Sequence, residues 1–162
     1  MTLREARPDD LDAVMAIEDR SFPTDAWSRE TMASELSSPH GRYLVDEEAG
    51  AIIGYGGVRA LQGSPDADIQ TIALDRAFRG RGRGRALLHA LLRAAAARGA
   101  REVFLEVRAD NPAAENLYRS EAFEEIGRRP RYYQPDDVDA IVMRRDLRRH
   151  PVAADTPEEA NA

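Results

Sequence analysis

Seven consecutive residues, Arg79-Gly80-Arg81-Gly82-Arg83-Gly84-Arg85, carry the densest chemical signal in the chain. Glycines let backbone N–H groups approach an anion, and a helix opening directly behind them adds unpaired amides and its positive dipole end. Here a strand over Ile69–Leu74 precedes the run and a helix follows it. With Arg76, the loop arginines concentrate five cations in an otherwise acidic protein, which is an address for an anionic ligand. Two other readings stay open: a solvated turn, or an RGG-like RNA-binding segment, which normally lies in a long low-complexity tract. The Gly-Lys-Ser/Thr ending of a Walker loop is missing, and the glycine spacing fails the dinucleotide fingerprint. The residues favour phosphate or pyrophosphate binding.

Other side chains suggest proton chemistry and a peptide rim. Glu106 lies on the strand face opposite Val103, Leu105 and Val107. It reads as a solvent-facing or Arg-paired carboxylate, or as a general base. Tyr118 follows Asn111 by seven residues, about two helical turns. It reads as a core aromatic beside Leu117, or as a donor of a hydrogen bond or proton. Phe22 and Trp27 in one loop, and the pair Tyr132-Tyr133, combine apolar bodies with polar handles, as peptide-binding rims do and ordinary packing does too. Asp136, Asp137 and Asp139 would attract a cationic peptide terminus or simply form a solvated loop. His40, His89 and His150 are scattered, so no metal site is expected.

Composition removes several alternatives. The chain has 162 residues and a net charge of −6, and all 23 of its basic residues are arginine. Without lysine there is no Schiff-base or P-loop lysine. Without cysteine there is no disulfide, thiolate zinc site, Fe–S cluster or thiol nucleophile. A pI near 5.2 argues against a dedicated nucleic-acid binder. No apolar run approaches ~18 residues and the start lacks a signal-peptide stretch, so a cytoplasmic protein without membrane contact is expected.

Elements that must position these groups are legible along the chain. Strand 2–7 leads to a helix from Pro8, and Ser28 caps a second helix ending near Leu36. Strands follow over 42–46, 51–60 and 67–74, with a hairpin turn at Glu48-Ala49-Gly50. A helix over about 84–98 ends at Gly99, and strand 101–108 comes next. Asn111-Pro112 starts a helix running to about Ala122, before a strand pair over 123–129 and 140–147. One domain over 1–149 and a disordered tail over 150–162 are expected, in an α/β mixture whose helices interrupt a mostly antiparallel sheet.

Several of these segments together resemble the GNAT acetyltransferases. Thr71-Ile72-Ala73-Leu74-Asp75 followed by Arg79-x-x-Gly82-x-Gly84-Arg85-Ala86-Leu87-Leu88 is similar to that family's acetyl-coenzyme A signature. Leu105–Asn111, Leu117–Phe123, Arg131-Tyr132-Tyr133 and Ser21-Phe22…Trp27-Ser28 resemble its RimI branch, which acetylates the N-terminal α-amine of a small-subunit ribosomal protein. The likeness spans roughly residues 3–147. It implies the GNAT fold, a mixed and mostly antiparallel sheet of about six to seven strands flanked by about four helices. It implies acetyl-CoA as co-substrate, a ribosomal protein N-terminus as acceptor, and a monomer or weak dimer.

The resemblance also assigns roles. Backbone groups of Ile72, Ala73 and Leu74 would hold the pantetheine arm, and amides across Gly80, Arg81, Gly82, Arg83, Gly84 and Arg85 would wrap the pyrophosphate. Asn111 would contact the pantetheine, Glu106 would be the general base, and Tyr118 the general acid at the departing thiolate. The family usually has Gln where Arg79 stands and Gly where Ala122 stands; Ala122 needs either a helical backbone or a mildly strained turn. With no cysteine, direct transfer in a ternary complex is expected. An α-amine with a pKa of about 7.7–8.0 is roughly one-tenth neutral at pH 7, whereas lysine at about 10.4 is below a thousandth. That gap is about 3.5 kcal/mol, so a modest carboxylate base suffices for an N-terminal acceptor. A lysine or small-amine acceptor, and a non-enzymatic RNA-binding module, are the competing expectations.

Overall fold

In the computed structural model, which describes residues 2–153, the chain runs β1 (Thr2–Glu5), α1 (Leu11–Ser21), α2 (Arg29–Leu36), β2 (Gly41–Glu48), β3 (Ala51–Arg59), β4 (Asp66–Leu74), α3 (Arg83–Ala97), β5 (Glu102–Arg108), α4 (Pro112–Ser120), β6 (Glu124–Tyr133) and β7 (Val138–Asp146). Local chemistry sets the ends. Ser28 Oγ accepts the Thr31 N–H at 3.1 Å and Asn111 Oδ1 accepts the Ala114 N–H at 3.2 Å, satisfying orphan amides of α2 and α4. The β2–β3 turn places Ala49 and Gly50 at positive φ, 50° and 80°, as a tight hairpin requires.

The strands form one seven-stranded sheet, ordered β1-β2-β3-β4-β5-β7-β6, with four helices packed on it as the GNAT resemblance implies. Every neighbouring pair is antiparallel except β4–β5, which is parallel and is registered only where Asp66–Asp68 meet Glu102–Phe104. Beyond that point the two strands part.

Two apolar clusters cover the sheet. Leu87, Leu88, Leu91 and Leu92 of α3 bury against Ile69, Val103, Leu105, Val107 and Met143, while Val14, Ile17 and Met32 of α1 and α2 pack on Val45, Tyr55 and Ala73. Each such fully buried aliphatic side chain contributes about 1.5–3 kcal/mol. Ile69 and Ala73 share parity on β4 yet join different clusters. A bulge explains this: Gly57 faces Thr71 but Val58 faces Ile69, so Gln70 is an extra residue that inverts the alternation.

Some expected boundaries move. Helix α4 stops at Ser120 rather than near Ala122, which turns with φ at 64°. The mildly strained turn is therefore the one adopted. It lets the Phe123 N–H reach the Tyr118 carbonyl at 3.0 Å and buries the Phe123 ring. Strand β6 runs on to Tyr133, beyond the expected end at Arg129, through a bulge in which Arg131 sits at φ 54°. Of the expected tail, Arg145 holds the carbonyls of His150 and Pro151 at 3.0 and 3.1 Å, and Val152 packs on the core. Residues 154–162 lie outside the described residues.

A buried ion pair ties the first residue of α3 to the sheet. Asp46 is fully buried, and Arg83, 7% exposed, grips it through Nε at 2.9 Å and a second nitrogen at 3.0 Å. Glu48 adds a contact at 3.2 Å. Removing one partner of such a pair costs about 3–5 kcal/mol because the other charge stays buried. Asp46→Ala should therefore lower the thermal midpoint by roughly 6–20 °C in a melting experiment. A midpoint within about 2 °C of wild type would contradict this role.

Candidate active site

The parting of β4 from β5 generates the site. Strand β4 pairs with β3 along Gly54–Gly57, so its other edge, from Gln70 to Leu74, has no strand partner. Backbone groups on such an edge can take hydrogen bonds from an extended ligand. A gap of about 160 Å³ opens there, lined by Gln70, Thr71 and Ile72 on one strand and Glu106, Val107 and Arg108 on the other. The gap meets two larger hollows.

The first is a groove of about 610 Å³ lined by Ile72, Ala73 and Leu74 of β4, Gly80, Gly82, Gly84 and Arg85 of the loop and α3, and Asn111 and Tyr118 near α4. Gly80 and Gly82 stand at φ 76° and 80°, where a side chain would be strained although no atom crowds the space. Gly82 caps α3 without a side chain, and the first bond of the helix runs from the Ala86 N–H to the Gly82 carbonyl. The amides of Arg83, Gly84 and Arg85 therefore have no carbonyl partner within the helix, at the positive end of its 15 residues. That cradle and the open strand edge fit a pyrophosphate joined to an extended amide arm.

The arginine patch read from the sequence is thinner in three dimensions. Arg83 is turned inward to Asp46 and Glu48, and neither Arg81 nor Arg83 lines the groove. Arg83 instead lies 5.0 Å from the Phe78 ring centroid, with Arg81 at 5.8 Å. Arg85 lines the groove but pairs with Glu121, and Arg79 donates to the Leu74 carbonyl at 3.1 Å. What the loop turns toward the groove is chiefly backbone, with Arg79 and Arg85 the arginines on its wall. The Asn111 side-chain oxygen is committed to capping α4.

The second hollow is an outer cleft of about 500 Å³ with Trp27, Glu106, Arg129, Tyr132 and Tyr133 on its walls. Trp27, Glu106 and Tyr133 also line the gap, whereas Phe22 lies on the gap and the groove and not on the outer cleft. The β6 bulge brings the tyrosines side by side, with ring centroids 5.2 Å apart and edge to face. Burial, and then the nearby Glu106 charge, push the Tyr133 phenol upward.

Glu106 and Tyr118 both line the gap. Glu106 is Arg-paired, with Arg129 Nε at 2.8 Å from Oε1. Tyr118 is 8% exposed and packs edge to face on Phe123 at 5.8 Å. Burial pushes its phenol up to about 12, and among the described residues no protein group hydrogen-bonds its hydroxyl. It is a protonated donor over the physiological range. Of the acids around the β6–β7 turn, Asp136 takes the Arg108 guanidinium and the Thr24 hydroxyl, whereas Asp137 takes the Gln134 amide and Asp139 the Arg131 N–H, neutral donors that leave both charges in place.

Sheet, groove and cleft define an N-acetyltransferase scaffold, and comparison with known proteins agrees. Residues 11–123 match the acetyltransferase (GNAT) family, and the chain belongs to it. It is similar to the N-alpha-acetyltransferase RimI of Mycobacterium tuberculosis, with 42% identity over 139 residues covering 85% of this chain and 83% of that one. The [ribosomal protein bS18]-alanine N-acetyltransferase of Escherichia coli strain K12 is 34% identical over 146 residues, covering 88% and 95%. The crystal structure of the ribosomal-protein-S18-alanine N-acetyltransferase from Escherichia coli superposes with a TM-score of 0.81 at 30% identity, covering 96% of each chain. The protein is thus an acyltransferase, and its fold implies acetyl-CoA as acyl donor. Among the described residues no group of His, Asp and Glu is arranged to hold a metal, and no helix is long and apolar enough to cross a membrane.

Three side chains at the site have no counterpart in the sequence reading. Arg129 faces Glu106. Arg108 ties together Asp25, Asp110 and Asp136 at 3.4, 2.9 and 3.0 Å and stacks on Tyr133 at 5.2 Å. Its signal was available, since it stands two residues from Glu106 on the same strand face. Glu18, 2% exposed, lines the gap, accepts the Trp27 N–H at 2.9 Å and takes the Tyr55 hydroxyl. It falls four residues after Val14 in the buried stripe of α1, where a carboxylate needs a partner.

Burial is the main cause that raises the Glu18 carboxyl above its usual value. The folded state then holds this proton more tightly than the unfolded chain, whose value is about 4.3. Stability from this group is fully present below the unfolded value and is lost as pH rises through the folded one. Relative to Glu18→Gln, the wild type should gain stability as pH falls toward the unfolded value of about 4.3, measured by urea denaturation. A difference that stays flat would contradict it.

Proposed function

We propose that this enzyme transfers the acetyl group of acetyl-CoA to the N-terminal α-amine of a protein, with a ribosomal protein as acceptor. The observation that carries the reading is that Glu106 and Tyr118 line one gap, with the anion cradle's groove on one side and the aromatic cleft on the other. The names of the relatives support the acceptor class.

The cradle formed by the amides of Gly80–Arg85 would hold the pyrophosphate, and the free edge of Ile72–Leu74 the pantetheine; when bound, the donor supplies an activated thioester. Glu106 removes a proton from the acceptor ammonium, directly or through a water. The freed nitrogen pair forms the new N–C bond as the C–S bond breaks; the nitrogen then gives up its second proton to solvent, leaving a neutral amide, and Glu106 releases the proton it took to solvent as well. Tyr118 gives its proton to the departing sulfur and is reprotonated from solvent. Trp27, Tyr132 and Tyr133 line the acceptor's approach, with Phe22 further in at the junction with the groove.

Removing a general acid or base costs about 10²–10⁴-fold in rate. Glu106→Gln and Tyr118→Phe should each lower kcat by about a hundredfold or more, with acetyl-CoA affinity changed less than about threefold. Unchanged turnover in either removes that residue from the mechanism. With Tyr118 near 12, its proton stays on at working pH, so the rate should show no alkaline fall from this group below about pH 11. Incubation with acetyl-CoA and peptides bearing both a free N-terminus and an internal lysine, followed by mass-spectrometric mapping, tests the acceptor. Acetate on the α-nitrogen supports the reading, and acetate on the ε-nitrogen overturns it.

A further inference from the structure

Arg129 and Glu106 meet across an intervening strand. Glu106 on β5 is in register with Val142 of β7, which is in register with Gly127 of β6. Gly127 offers no side chain, and a Cβ there would meet nothing within 4 Å. The lane beside Glu106 is therefore open, and Arg129 enters it diagonally. Its Nε lies 2.8 Å from Glu106 Oε1 while its guanidinium lies 5.6 Å from the Tyr132 ring centroid. Two seats thus hold one cation.

Other charged or titratable groups line the cleft or the gap: Asp68 of β4, Arg108 of β5, Tyr132 and Tyr133 of β6, Glu18 of α1 and Asp25 of the loop after it. Arg108 is committed to three carboxylates. Arg129 is the cation that compensates Glu106, at the carboxylate an acceptor ammonium must reach.

We propose that Arg129 is a positioning residue that occupies the ammonium seat of the free enzyme and yields it to the acceptor's α-ammonium, retaining its place over Tyr132. The inference rests on the reading of Glu106 as the group that receives the acceptor amine. Both cations donate N–H groups to the same carboxylate, so the exchange leaves Glu106 compensated before and after binding. A peptide without a cationic N-terminus has nothing to offer in the exchange.

Calorimetry on the enzyme loaded with coenzyme A, which cannot react, tests this with two peptides of one sequence, one with a free amine and one with that amine replaced by hydrogen. Exposed ion pairs set the scale, so Arg129→Gln should bind the amine peptide about two- to fivefold tighter than wild type. The des-amino peptide should bind both proteins equally, and Arg129→Lys should restore wild-type affinity. In a Glu106→Gln background the gain from Arg129→Gln should vanish. Equal gains for both peptides, or weaker binding of the amine peptide, overturn the proposal. If Glu106→Gln is inactive and no amine-selective gain appears, only the Arg129 assignment falls. If Glu106→Gln turns over at the wild-type rate, the reading of Glu106 falls with it.

Discussion

The site depends on hydrogen bonds that β4 and β5 do not make. Their parallel ladder covers three residues on each strand, after which the edges are left for other partners. An unpaired edge inside a sheet is costly and open to unwanted pairing. It is tolerable here because the remaining ladders, β3–β4 and β5–β7, run almost the full length of their strands. The helices then close the ends of the opening, with α3 bringing free amides and α4 bringing Tyr118. Sheet geometry thus decides where ligands can lie before any side-chain chemistry is considered.

Charge is distributed by the same logic. A lysine-free chain has only arginine to balance 29 acids, and the planar guanidinium fork lets one side chain serve several carboxylates. Arg108 and Arg83 work as multi-ended braces, one joining the loop after α1 to the β6–β7 turn and the other joining the start of α3 to β2. Glu121 shows the converse, one carboxylate receiving Arg85, His89 and Arg145. The missing lysines also mean that the enzyme carries no ε-amine of its own to compete as an acceptor.

Local signals in the sequence translated well into structure. Caps at Ser28 and Asn111, the hairpin turn at Glu48-Ala49-Gly50 and the Gly99 end of α3 need only neighbours within a turn, so residue type and spacing suffice. Several motifs in fixed order sufficed for the family. Tertiary choices were hidden. Nothing near Arg83 separates it from Arg81 or Arg85, because the partner that withdraws it is Asp46, 37 residues earlier. Gln70 carries no mark of a bulge, yet it inverts which side chains of β4 face which cluster. The Arg129–Glu106 pair spans two strands and a helix in sequence, and only the β7 register brings it together.

The bond between Arg83 and Asp46 has a consequence for the glycine loop ahead of it. Because the first residue of α3 is fastened to β2, the cradle does not depend on its ligand for its shape. The backbone at the start of the helix is placed in advance, and a guest at that end would leave little conformational entropy to be lost. For such a loop, arrival of a guest would call for little folding of the chain around it.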